Sequence, residues 1–197
     1  MNPKSILNLF SILVLFFSIS YMFPIIVSII FEDGALGIFI KTLISVTSIG
    51  IMGLLLTRNI KNDLSQKDGF VIIVMFWVIL SLAGSIPFYL SGMSVIDSFF
   101  ESMSGITTTG ATVISNIDAL PESLLFYRQL LQWMGGMGLI VLAIAVMPLL
   151  GIGGGQIYKT EIPGAMGEQK LTPRIKETAQ ALWLIYLGLT ILCALLY

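Results

Sequence analysis

The chain alternates long stretches without ionisable side chains with short polar joints. Residues 5–31 carry no charge, and since about 20 apolar residues in a helix cross a bilayer, this stretch predicts a membrane helix. It exceeds the roughly 7 to 15 apolar residues of a cleaved signal peptide and lacks a small-x-small cleavage site before Glu32. Pro24 predicts a bend or an end to the regular helix near the outer surface, because proline offers no backbone donor. Residues 35–57 form a second run, interrupted only by Lys41, which lies close enough to one end to reach the headgroups. Residues 69–89 hold Trp77 and, near their end, Pro87. Residues 124–150 contain one charge, Arg128, and residues 178–197 run to the last position with no polar residue after them, as expected of a fragment of a longer chain. The pattern predicts five crossings.

Composition agrees. At 56% hydrophobic, 11% charged and a mean hydropathy of +0.97, the apolar surface exceeds what one soluble core of 197 residues could hide. Ten Lys and Arg against eleven Asp and Glu leave a net charge of -1, with no basic excess to attract nucleic acid. The single cysteine, Cys193, excludes an internal disulfide, and the absence of His removes Ser-His and Cys-His nucleophile pairs, haem ligation and His-type metal sites. An aspartyl intramembrane enzyme needs two Asp inside crossings, whereas Asp97 and Asp118 fall near the outer surface. The chain is therefore not expected to be an enzyme. Its positive charges set the orientation: Lys4, then Arg58, Lys61 and Lys67, then Lys159, Lys170, Arg174 and Lys176 all fall on one side if each run crosses once. The amino terminus is thus expected in the cytoplasm, with Glu32, Asp33, Asp97, Glu101, Asp118 and Glu122 outside.

Residues 91–123 are too polar to cross and too apolar for an ordinary exposed loop. Ser94 followed three residues later by Asp97 resembles a capping box, and Ile96, Phe99, Phe100, Met103 and Ile106 recur at helical spacing, with Asp97 and Glu101 opposite them. A helix over 94–106 is about 18 Å long, enough to enter the bilayer from outside and stop near its middle. It is expected to be re-entrant. The strip that follows, Thr107-Thr108-Thr109-Gly110-Ala111-Thr112, has too little apolar bulk to face lipid. It would begin at the negative end of the helix dipole, where a cation is favoured, with threonine hydroxyls to hold an extended backbone and Gly110 free to adopt dihedrals that a Cβ forbids. Stacked carbonyls could then replace the hydration shell of an alkali ion. The hexapeptide alone reads equally well as a polar linker. The order crossing, half-length helix, strip, crossing favours the filter. Asp97, Glu101, Asp118 and Glu122 could form a cation-attracting vestibule, although acidic outer loops also follow from the charge asymmetry alone.

Asp97-Ser98-Phe99-Phe100-Glu101-Ser102-Met103-Ser104-Gly105, the strip itself, and Gln132-Trp133-Met134-Gly135-Gly136-Met137-Gly138 together resemble the Trk-type potassium uptake proteins, pore subunits of the Trk/Ktr/HKT cation transporters. The resemblance continues through Pro148-Leu149-Leu150-Gly151-Ile152-Gly153-Gly154 and Glu161-Ile162-Pro163-Gly164, so it covers nearly all of the chain from Gly69 onward. It implies four helix-pore-helix repeats in one chain around a potassium pathway, a homodimer, and a cytoplasmic nucleotide-binding regulatory subunit. Carried to matching positions, Thr107, Thr108, Thr109 and Gly110, with Ala111 behind them, would coordinate potassium as substrate, with no cofactor. Serine replaces this glycine in sodium-preferring relatives, so Gly110 points to potassium. Only one such strip occurs here.

The expected fold is an all-α membrane protein with five transmembrane helices plus one re-entrant pore helix and filter loop. Residues 1–68 would form an amino-terminal hairpin and cytoplasmic loop, 69–150 one complete repeat, 151–177 a cytoplasmic loop, and 178–197 the first helix of a second repeat. Its setting is the lipid of a bacterial cytoplasmic membrane. The alternative is a non-transporting membrane subunit or remnant that binds transporter partners. Gly135, Gly136 and Gly138 read as close helix packing. Gly151, Gly153, Gly154 and Gly155 lack the strand and the Gly-Lys-Ser/Thr of a phosphate loop and read as a flexible turn. Arg128 lies about 7 Å into its helix, where it either snorkels or pairs with Glu101 or Asp97.

Overall fold

The computed structural model describes residues 3–57, 66–146 and 171–196. Among them the long elements are all α-helices: α1 (Pro3–Ser18), α2 (Met22–Phe31), α3 (Leu36–Leu56), α4 (Gln66–Leu90), α5 (Val95–Ile106), α6 (Glu122–Val146) and α7 (Leu171–Leu196). Short 3-10 turns occupy Ile19–Tyr21 and Ile117–Ala119. The chain divides into two compact units, Met1–Gly136 and Met137–Tyr197. Lys4–Phe31 and Leu36–Leu56 are each long and apolar enough to cross a membrane, and Val74–Leu90 and Gln180–Leu196 are shorter apolar stretches. The basic joint at 58–65 and most of the glycine-bearing loop expected at 151–177 lie outside the described residues. From Leu171 onward the backbone is already helical.

In the first rod the helix tightens into the 3-10 turn immediately before Pro24 and then resumes. The Met22 N–H reaches the carbonyls of Ile19 and Ser20, the latter being one that Pro24 has no N–H to serve. The chain reverses through Glu32 and Gly34, both at positive φ, into α3. Asp33 in this turn joins two helix starts. One carboxylate oxygen accepts the Ser28 hydroxyl and the Ala35 N–H at 3.0 Å, beside the start of α3, and the other accepts the Ser123 N–H at 2.8 Å in the first turn of α6. Burial pushes the Asp33 carboxyl up, but the bonds from Ser123, Ser28 and Ala35 outweigh it and hold the group at about 2, below its usual 3.8.

The core of the first unit is aromatic. Tyr21, Phe39, Phe88 and Tyr127 are buried together, with Tyr127 packing its ring against each of the other three at centroid distances of 5.4 to 5.8 Å. Two of these rings also mend a helix. Pro87 lacks the N–H that would bond the Ala83 carbonyl, and the Tyr21 hydroxyl donates to that carbonyl at 2.8 Å. The next carbonyl along, that of Gly84, accepts from the Tyr127 hydroxyl at 3.0 Å. Helix α4 is thereby tied to both α6 and the amino-terminal rod at the point where proline weakens it.

Candidate functional site

Helix α5 starts as its capping box predicts. The Ser94 hydroxyl accepts the Asp97 N–H at 3.1 Å and donates to the Asp97 carboxylate at 2.8 Å. The face it buries departs in part from what an apolar stripe suggests. Ile96 is 81% exposed and Phe100 is exposed, whereas Ser98, Glu101, Ser102, Ser104 and Gly105 are buried together with Ile106. Gly135 shows how tight the fit is: a Cβ there would lie 1.9 Å from the Ile106 carbonyl oxygen. Gly135, one of the three glycines read as packing residues, lies where α6 crosses the end of α5.

Beyond Ile106 the backbone folds back on the helix end. The Thr107 N–H bonds the Met103 carbonyl and the Thr108 N–H that of Gly105, both at 2.9 Å. The Ser104 carbonyl accepts from Thr109 at 2.9 Å and from Gly110 at 3.3 Å. Thr108 and Gly110 take positive φ values of 58° and 75°, whereas Thr107 lies at -80°. Threonine in the left-handed region is strained, and the bonds on either side over-determine it. The N–H groups of Thr107, Thr108, Thr109 and Gly110 are thus engaged by the carboxyl end of α5, and among the described residues none donates to the carbonyls of Thr107, Thr108, Thr109 or Gly110. The Thr107 hydroxyl lies 2.8 Å from both the Met103 carbonyl and the Thr109 hydroxyl. The Ala111 carbonyl is already engaged, accepting the Ser104 hydroxyl at 2.6 Å. In this chain the whole strip is exposed.

The four acidic residues separate into two kinds. Glu101 is buried: one carboxylate oxygen accepts the Thr112 hydroxyl at 2.5 Å and the Val113 N–H at 2.7 Å, and the other accepts Nε of Arg128 at 3.0 Å. Of the two carboxylates open to Arg128, Glu101 is the partner. Asp97 is half-buried in the first turn of α5, while Asp118 and Glu122 are exposed, in the Ile117–Ala119 turn and at the start of α6. The bonds from Glu101 to Thr112 and Val113 were not legible in the sequence. An arginine within an apolar run signals that a carboxylate must be near, but nothing local marks the two further donors.

The helical chain thus combines two stretches long and apolar enough to cross a membrane with a short capped helix that ends on a threonine-glycine strip, whose carbonyls from Thr107 to Gly110 accept no bond among the described residues. Residues 34–197 match the family model TrkH, described as cation transport protein. The chain belongs to that family. It is 49% identical over 200 residues to the Trk system potassium uptake protein TrkH of Vibrio parahaemolyticus, covering all of this chain and 41% of that protein. It is 46% identical over 198 residues to the protein of the same name from Escherichia coli K12, covering 99% of this chain and 41% of that one. Its fold is similar to the crystal structure of the potassium transporter TrkH from Vibrio parahaemolyticus, with a TM-score of 0.83 at 46% identity, over 99% of this chain and 39% of that chain. The chain thus spans about two fifths of the length of these relatives.

Proposed function

We propose that this chain contributes one quarter of a selectivity filter to a Trk-type potassium uptake protein, with Thr107, Thr108, Thr109 and Gly110 presenting backbone oxygens to the ion. The observation that carries this reading is the pairing of the N–H groups of Thr107, Thr108, Thr109 and Gly110 with carbonyls of α5. An amide whose N–H is bonded to a helix end has its carbonyl polarised away from it, so the bonds from Thr108, Thr109 and Gly110 pass the negative pole of α5 outward through the carbonyls of Thr107, Thr108 and Thr109. Three further strips must close over this one, which accords with its exposure in residues 1–197. The five apolar stretches then act as crossings with the amino terminus in the cytoplasm, and α5 enters from outside without crossing. Residues 69–150 form the repeat, 1–68 its amino-terminal hairpin, 151–177 a cytoplasmic loop, and 178–197 the opening of the next repeat. Asp97, Asp118 and Glu122 give the entrance a negative field, to which the paired Glu101 adds little. A second copy and a cytoplasmic nucleotide-binding subunit complete the assembly.

Potassium, rubidium and sodium uptake by the full-length transporter carrying Gly110→Ser tests the filter. Gly110 sits at φ 75°, where a side chain is disfavoured, so the substitution should turn its carbonyl and let sodium compete. An unchanged preference for potassium refutes the role given to the strip.

A further inference from the structure

The inner end of the strip is held by the carbonyls of α5, and its outward-leading end is held by one carboxylate. We infer that Glu101 and Arg128 form a buried ionic clamp that positions Thr112 and Val113, and through them sets the cation preference of the strip. This rests on reading 107–110 as the ion-binding segment.

The side chains of Glu101 and Arg128 are 1% and 10% exposed, so neither charge can be left to solvent. The pair spans three segments: Glu101 from α5, Arg128 from α6, and the strand leaving the strip. The chemistry requires an anion. A carboxylate offers acceptors on both oxygens, and here all three partners, the Thr112 hydroxyl, the Val113 N–H and the Arg128 Nε–H, are donors. Glutamine at 101 has one acceptor and one donor. Whichever way its amide is turned, a donor faces a donor, and either Arg128 or the strand is released. Removing Arg128 instead leaves a bare carboxylate oxygen in a closed site, which favours protonation or rotation of Glu101 and again loosens the strand. Because the two charges cancel, the clamp acts through position and not through a field at the pore mouth. These are positioning residues, and they touch no ion.

The test is sodium inhibition of rubidium uptake in cells expressing the full-length transporter, normalised to the protein present in the membrane. Glu101→Gln and Arg128→Met, which removes every donor at 128, should each lower the preference for potassium and rubidium over sodium by about tenfold. The double variant Glu101→Gln/Arg128→Gln should recover most of it, since the new amide oxygen at position 128 can accept from the new amide nitrogen at position 101 and leave the oxygen at 101 to Thr112 and Val113. Thr112→Val removes one bond to the clamp while leaving the ion pair intact, and serves if either single variant fails to reach the membrane. It should cost several-fold in preference. Wild-type preference in Glu101→Gln or in Thr112→Val, or a double variant no better than either single, overturns the clamp. Gly110→Ser run alongside separates the two readings: if it shifts the preference and the clamp variants do not, the clamp alone fails, and if it does not, the filter reading fails first.

Discussion

The bond from Tyr21 to Ala83 yields a prediction that is independent of transport. Tyr21→Phe keeps the ring, and with it the packing against Phe17 and Tyr127 at 5.6 and 5.8 Å, and deletes only the hydroxyl. The Ala83 carbonyl then has neither Tyr21 nor, because residue 87 is proline, its intrahelical donor. A buried carbonyl stripped of its partner costs about 1 to 3 kcal/mol in soluble proteins. Side-chain hydrogen bonds between membrane helices run lower, about 0.6 kcal/mol on average and about 1.7 at most. Tyr21 is fully buried and its bond has ordinary geometry, so a cost of about 1 to 2 kcal/mol is expected, or about 2 to 8 °C in melting temperature for a unit of this size. The decisive assay is a double-mutant cycle with Pro87→Ala, followed by thermal or denaturant unfolding of the purified protein in detergent. Alanine at 87 restores an N–H aimed at the Ala83 carbonyl, so Tyr21→Phe should then cost less than about 0.5 kcal/mol, leaving a coupling of about 1 kcal/mol. Equal costs in the two backgrounds, or no cost in either, would show that the hydroxyl does not stand in for the missing donor.

Two further predictions follow from the packing around the site. Gly135→Ala places a methyl 1.9 Å from the Ile106 carbonyl oxygen, a backbone atom that cannot rotate away, so α6 must move off the end of α5. Overpacking of this kind costs about 1 to 3 kcal/mol, and potassium uptake should fall at least tenfold with protein still present in the membrane; near-normal uptake would contradict the contact. Asp33 lies outside the crossings, and its carboxyl is held at about 2 in the folded chain against an ordinary 3.8. Its contribution to stability is therefore complete above about pH 4 and lost as pH falls through about 2, and Asp33→Asn should flatten the melting temperature across that window relative to wild type. Parallel pH profiles for the two proteins would remove Asp33 from the joint between α3 and α6.

Much of the helical layout was legible because charges interrupt the apolar runs sharply. Residues 5–31 became α1 and α2, 35–57 became Leu36–Leu56, and 94–106 became Val95–Ile106 behind its Ser94 cap. Where ends differ, the helix extends past the apolar run, as at Gln66 and Leu171, because a charged residue marks the end of a run and does not itself end a helix. The buried side of α5 was not legible. A periodic apolar stripe marks the core of a soluble helix, but here Ile96 and Phe100 point outward while Glu101 and Ser102 are enclosed. Also hidden were bonds between positions far apart in sequence, Tyr21 with Ala83 and Asp33 with Ser123, which depend on where the helices meet. Pro87 announced a missing donor, but nothing near it in sequence named the hydroxyl that would serve the vacant carbonyl.

The same geometry gives a physical reason for the spacing of polar residues on α5. Glu101 and Ser104 are one turn apart on one face, and the strand leaving the strip runs back along that face, so that Ser104 holds Ala111 and Glu101 holds Thr112 and Val113. The last turn of the helix meanwhile takes the N–H groups of residues 107–110. The short helix is therefore a ruler as well as a dipole: the segment leaving Gly110 meets first the Ser104 donor and then, one turn nearer the start of α5, the Glu101 acceptor. Shifting the strand by one residue would present Ser104 with the wrong carbonyl and place an apolar Val113 side chain where Glu101 now receives a threonine hydroxyl. Such a register is defended by every bond along it. The positive φ of Thr108 can be tolerated for the same reason, because relaxing it would pull at Ser104, at Glu101 and, through Glu101, at Arg128 on α6.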